Sequence, residues 1–234
     1  MPEQAPEILS LQNVSVEASP AYDVGLADVS LTLRAGELAL VRLERDNVRL
    51  PLADVAAGLT DADAGVARFK GEDWAAMGPA ASCRARARIG RVFAGPNWVS
   101  NLDVDENVVL AQRHHTRRPD EELLAEAEQI ARSLGLPGLP RGRPAVVGRR
   151  DLARAAIVRA LMGGPDLLLL ERPEFGVYPE IMTPLVAALD AARARGAAVV
   201  WTTNNPDVWS DTAVRPTWRA VVSGTKLVVA ADGP

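Results

Sequence analysis

A single cysteine, Cys83, excludes an internal disulfide, and the only two histidines, His114 and His115, leave too few soft ligands to predict a metal cluster. Adjacent positions on a helix point apart, so the histidine pair reads as an exposed helix end. No apolar run reaches the roughly 20 residues that a membrane-spanning helix needs. The opening MPEQAPEILS lacks the positive start and apolar stretch of a secretion signal, so a cytoplasmic chain without membrane insertion is expected. Neither sign of charge is in large excess: 26 Lys and Arg against 30 Asp and Glu give a net charge of -4, with no global attraction to nucleic acid or an anionic bilayer. Arg84, Arg86, Arg88 and Arg91 form a local basic run, but no aromatic is interleaved with them to stack bases, and nucleic-acid binding is not expected. Internal repeats and low-complexity blocks are absent too. With 48% hydrophobic and 24% charged residues over 234 positions, the chain has the make-up of a globular protein with a sizeable core.

What is present centres on Leu167, Leu168, Leu169 and Leu170, followed by Glu171, Arg172 and Pro173. Four leucines after the turn signal Gly163-Gly164-Pro165-Asp166 read as a strand of a parallel sheet buried on both faces. Ligands of open α/β sheets bind beyond the carboxyl edge, which places Glu171 and Arg172 beside any site. Further strands are predicted over residues 8–16, 29–33, 38–43, 66–69, 89–93, 199–203, 218–222 and 226–230, the second from its two-residue alternation. Helices are predicted over 50–58, 105–113, 120–134, 149–162 and 179–195, several with acidic first turns. The pattern is α/β with a helical insertion over about 96–148.

Strand 38–43, the loop Glu44-Arg45-Asp46-Asn47-Val48-Arg49 and helix 50–58 form the strand–loop–helix context of a phosphate-binding loop. The glycines such a loop needs are missing. Arg42, Arg45 and Arg49 offer an anion site at the helix start; the plainer expectation is that they pair with Glu44, Asp46 and Asp54 in a solvated network.

In order and spacing, ADVSLTLRAGE (27–37), AAGLTDADAGVARFKGEDW (56–74), RARIGRVFAGPN (86–97), LDVDENV (102–108) and ARAAIVRALMGGPDLLLLERP (153–173) resemble the nucleotide-binding subunits of ATP-binding-cassette (ABC) transporters across almost the whole chain. The resemblance implies a P-loop NTPase-like ABC ATPase fold: a mixed β-sheet core, an antiparallel N-terminal β-subdomain and an inserted helical subdomain. It implies one domain over 1–234, with 96–148 as the insertion that carries the family's signature motif.

The same resemblance marks the functional positions, and their chemistry differs from the family's. The phosphate-loop glycines correspond to Leu43, Asp46 and Val48, the lysine to Arg49, and the hydroxyl pair to Leu50 and Pro51. Arg45, Asp46, Asn47 and Arg49 are thus the candidate nucleotide contacts of an altered loop, and Glu171 is the candidate metal ligand. Arg172 stands at the catalytic glutamate position and Asn204 at the histidine position, so no catalytic residue is expected: an arginine cannot take a proton from water at ordinary pH. Tyr178 replaces an aspartate, Ala94 a glutamine, and Ala18 the adenine-stacking aromatic, with Tyr22 a displaced substitute. The signature becomes Val147-Gly148-Arg149-Arg150-Asp151, where Arg149 and Arg150 either reach a partner's nucleotide or simply open a helix. Ala94, Pro96 and Trp98 match the segment that receives the family's permease.

The expectation is a pseudo-ATPase subunit that docks a membrane permease or a partner ATPase. It would sit at the inner face of the membrane through that permease, paired with a second nucleotide-binding subunit as homo- or heterodimer. No cofactor is expected, with ATP and Mg²⁺ the group to consider if binding is retained. The alternatives are a divergent but active hydrolase and a free-standing binding protein on the same fold.

Overall fold

The computed structural model describes residues 4–44, 49–95 and 97–230. Three strands come first: β1 (Glu7–Val16), β2 (Leu26–Arg34) and β3 (Leu38–Leu43). The short helix α1 (Leu52–Ala56) follows, then β4 (Ala64–Phe69), β5 (Glu72–Asp73), a 3-10 turn (Trp74–Ala76), α2 (Pro79–Arg86) and β6 (Ile89–Val92). Three helices succeed one another, α3 (Val104–His115), α4 (Asp120–Ser133) and α5 (Arg149–Leu161). The chain closes with β7 (Leu167–Glu171), α6 (Met182–Ala194), β8 (Ala198–Thr203), α7 (Pro206–Ser210), β9 (Trp218–Ser223) and β10 (Lys226–Val229).

The strands make two sheets. One is four-stranded and antiparallel in the order β2-β1-β4-β5; the other is six-stranded, β10-β9-β3-β8-β7-β6, parallel except for the β9–β10 hairpin. The leucine strand β7 lies between β6 and β8, and its four leucines are at most 2% exposed. Successive strand side chains point to opposite faces, so Leu168 and Leu170 pack with Val199 and Trp201 against the helices. Leu167 and Leu169 pack with Ala198 and Val200 against α1 and the antiparallel sheet. The parallel sheet is therefore a middle layer with apolar contacts on both sides, which is why β7 carries no polar residue before Glu171.

Close packing fixes the helical layer on that sheet. Gly90 in β6 lies under α5 so tightly that a Cβ there would stand 1.8 Å from the carbonyl oxygen of Ala160. Gly58 ends the turn after α1 at φ +61, and a Cβ there would meet the Trp74 ring at 2.4 Å.

Several boundaries differ from the sequence reading. The helix expected over 50–58 shrinks to Leu52–Ala56, with Pro51 as its N-cap. The helix expected from 179 begins at Met182, which leaves Pro184 in its first turn, where a missing N–H costs nothing. The helix expected over 105–113 is longer, because Asp103 and Glu106 form a reciprocal capping box at its start. Helices α2 and α7 are additional; each opens on a proline, Pro79 and Pro206, the signal that could have revealed it. Among the described residues, no helix is long and apolar enough to cross a membrane.

Candidate functional site

Strands β3, β6, β7 and β8 run parallel, so their carboxyl ends gather at one edge of the sheet. Glu171 ends β7 opposite Thr202 of β8. Its Oε2 accepts from both Nε and Nη2 of Arg91 at 2.9 and 2.8 Å, a fork of two donors on one oxygen from the neighbouring strand β6. The remaining nitrogen, Arg91 Nη1, donates to Asp54 Oδ1 of α1 at 2.5 Å. Asp54 Oδ2 in turn accepts from the Tyr22 hydroxyl at 2.9 Å, which also lies 2.6 Å from Thr60 Oγ1. Burial pushes the Glu171 carboxyl above the usual glutamate range, and the Arg91 charge opposes that rise. Only 9% of the Arg91 side chain and 15% of that of Glu171 remain exposed.

Arg172 follows in a left-handed backbone conformation, φ +50, which places its N–H on Thr202 O at 2.9 Å. Its Nη2 reaches Ala94 O at 3.3 Å, and its guanidinium lies 5.3 Å from the Phe175 ring centre. Behind it Glu174 is buried, accepting from Trp201 Nε1 at 3.0 Å and from the Thr203 hydroxyl. Burial raises the pKa of Glu174, with the Thr203 and Trp201 hydrogen bonds acting in the opposite direction. Leu43, Leu50, Leu52, Ala53, Ala94, Glu171, Arg172 and Thr202 enclose a space of about 10 Å³, room for one water at most.

A larger cleft of about 480 Å³ opens beside this edge, between the loop after β6, α5 and the loop after β7. Ala94 and Trp98 line it with Phe93, Arg149, Arg172 and Phe175. Trp98 is only partly exposed: it packs on the helical core beneath the Arg159 guanidinium, 4.6 Å from its ring centre. Arg159 also binds Asn97 Oδ1 at 2.7 Å, and burial lowers its pKa to about 10, so it stays charged at neutral pH. The exposed aromatics of the cleft are Phe93 at 39% and Phe175 at 68%, residues the sequence reading did not single out as contacts.

The other predicted residues scatter around this edge. Arg49 is exposed and binds Asp23 through Nη2 at 2.8 Å and its own N–H at 2.9 Å, holding that carboxyl down at about 2. Arg45, Asp46, Asn47 and Pro96 lie outside the described residues. The arginine network therefore differs from the expectation where it is described. Arg49 pairs with Asp23, Asp54 with Arg91, and Arg42 rests 5.1 Å from the Trp209 ring centre. Arg149 and Arg150 open α5, and Arg150 is paired with Glu180 at 2.6 Å. Asn204 directly follows β8. Cys83, His114 and His115, which the sequence reading did not join into a cluster, bring ligand atoms within 4.8 Å of one another.

The comparisons with known proteins agree with this architecture. No family model matches the chain. It is 30% identical over 189 residues to the lipoprotein-releasing system ATP-binding protein LolD of Chromohalobacter salexigens, a match covering 79% of this chain and 78% of that one. It is 28% identical over 204 residues to the methionine import ATP-binding protein MetN of Caulobacter vibrioides, covering 86% of this chain and 60% of the relative. The chain spans 50 to 60% of the length of the methionine-import and octopine-permease relatives it matches. Among solved structures, a dimeric bacterial ABC transporter cassette superposes with a TM-score of 0.79 at 18% identity, over 94% of this chain and 96% of that one. A post-hydrolysis cassette dimer bound to ADP and phosphate gives 0.78 at 18% identity over the same shares.

Proposed function

The chain belongs to the family of ATP-binding subunits of ABC transporters, and on that premise we propose that it is a pseudo-ATPase, a subunit that docks rather than hydrolyses. The observation that carries this reading is the forked Arg91 contact on one oxygen of Glu171. Glu171 stands where the family resemblance puts the metal ligand, and one of its oxygens is taken by two guanidinium nitrogens. Magnesium demands near-octahedral oxygen ligands, and the Arg91 charge held between Glu171 and Asp54 opposes a second cation there. Beside it stands Arg172, which has no capacity to accept a proton from water. Leu50, 8% exposed, supplies no hydroxyl to the metal. These residues do not fit a magnesium triphosphate, and no catalytic step is assigned to them. Arg45, Asp46, Asn47 and Arg49 then serve as an altered loop without a ligand to cradle.

The docking face in this reading is the cleft of Ala94 and Trp98, extended by Phe93 and Phe175. Exposed aromatics beside a pocket are typical anchors of interfaces. A permease segment seated there would hold the subunit at the inner, cytoplasmic face of the membrane. Arg149 and Arg150 would face a second nucleotide-binding subunit, and 96–148 would act as the inserted helical part of a single domain.

Melting of the purified chain with MgATP, MgADP and metal-free nucleotide tests the reading. A genuine site in about hundred-fold excess of ligand over Kd gains roughly 2.7 kcal/mol; no shift and no phosphate release are expected. The relatives' names, all ATP-binding proteins, favour a second reading, a divergent active hydrolase. Phosphate release abolished by Glu171→Gln would establish that reading and overturn the first.

A further inference from the structure

The chain's only cysteine and only two histidines, scattered in sequence at positions 83, 114 and 115, meet in space. Cys83 lies on α2, which leads into β6, and His114 and His115 are the last residues of α3. The thiol and one nitrogen of each imidazole all lie within 4.8 Å of one another. Neighbouring residues inside a helix diverge, but here the helix stops at His115 and Thr116 turns to extended backbone at φ -127, ψ 168. The two rings stand edge to face with centres 4.7 Å apart.

We propose that Cys83, His114 and His115 form a zinc site. A tetrahedral zinc with Zn–S of about 2.3 Å and Zn–N of about 2.0–2.1 Å needs its ligand atoms roughly 3.3–3.6 Å apart. Bringing ligand atoms at most 4.8 Å apart to that spacing asks for movements of roughly 1.5 Å or less, on the scale of side-chain rotation. One thiolate and two imidazoles select a zinc-class cation over magnesium or calcium, which prefer carboxylate and carbonyl oxygen. Three protein ligands leave the fourth position to water, and His114 is the exposed member of the three. Two of the arginines on this stretch are paired with carboxylates, Arg113 with Asp120 and Arg118 with Glu126. The bound ion would tie α2 to the end of α3. The site is remote in composition from the Glu171 edge, so it stands or falls independently of the docking reading.

Cobalt(II), a spectroscopic stand-in for zinc, tests the site on tag-free, reduced, full-length protein. One cobalt per chain should bind with a near-ultraviolet thiolate-to-metal band and tetrahedral visible bands, and zinc should displace it. Cys83→Ser should abolish the thiolate band. His114→Gln and His115→Gln should each weaken binding roughly tenfold or more, the scale on which even outer-sphere partners of a metal act. Zinc should also slow alkylation of Cys83 in the parent chain and not in the double histidine variant, which mass spectrometry reads as a single adduct because there is no other cysteine. Melting of each variant without metal, matching the parent, shows that the fold is intact; His114 is exposed, so its variant keeps the test valid. Absence of a one-to-one cobalt spectrum, or a spectrum and protection that survive loss of both imidazoles, overturns the proposal.

Discussion

Arg91 serves two carboxylates at once, and its removal leaves both Glu171 and Asp54 without their cation. Breaking a largely buried ion cluster by deleting one partner costs about 3–5 kcal/mol, because the remaining charges are neither solvated nor paired. Arg91→Met should therefore lower stability in urea by that order, well beyond the cost of truncating the exposed Arg49, whose pair with Asp23 is open to water. Glu174 sets a pH dependence. Its folded pKa and that of Glu171 are both raised, chiefly by burial. Between the ordinary glutamate value of about 4.3 and those raised values, the folded chain binds more protons than the unfolded one, so stability is fully present below that window and declines as pH rises through it. Glu174→Gln removes one of the two contributions. Its urea midpoint should fall less steeply with rising pH than that of the parent chain.

At the scale of elements, the cleft depends on how α3 grips the loop before it. Asn107, buried near the start of α3, accepts from Val99 N–H at 2.8 Å and donates to the carbonyls of Val99, Leu102 and Asp103 at 3.1, 3.2 and 2.9 Å. A side chain four residues into a helix thereby holds the loop that carries Trp98. Asn107→Ala removes the partner of Val99 N–H and the side-chain donor to three carbonyls, of which Val99 O and Asp103 O keep their backbone bonds from Leu102 N–H and Asn107 N–H; the cost is about 1–3 kcal/mol. Besides the lower melting temperature, the Trp98 fluorescence environment should become more solvent-exposed, best read in a chain whose other tryptophans are replaced. The boundaries of α3 were partly legible, since Asp103 and Glu106 spell a capping box; the role of Asn107 was not, because an asparagine inside a helix pattern names no partner.

For the whole molecule, the proposed absence of hydrolysis rests on several elements at once. The carboxyl ends of β3, β6, β7 and β8 converge, so the Glu171 position is decided jointly by residues from β6, β7 and α1. Arg172→Glu puts a carboxylate at the position the family resemblance marks for a base, while Arg91 still occupies Glu171. Phosphate release with MgATP should stay at the background of the parent chain; turnover gained by that single change would mean that the Arg91 contact opens readily to metal.

The order of the main strands and helices, though not α2, α7 or β5, and the burial of β7 were readable from the chain alone, because four consecutive leucines between turn signals have few other places to go. So were the chemical types at the sheet edge, since glycine, lysine, serine and glutamate are either present or not. Tertiary structure decided the partnerships. Arg91 finds Glu171 across 80 positions and Asp54 across 37, and Cys83 finds two histidines on another helix. A charged or ligating side chain states what it can bind but not what it will meet, and only the crossing of strands and the ending of helices brings such groups within hydrogen-bond or ligand distance.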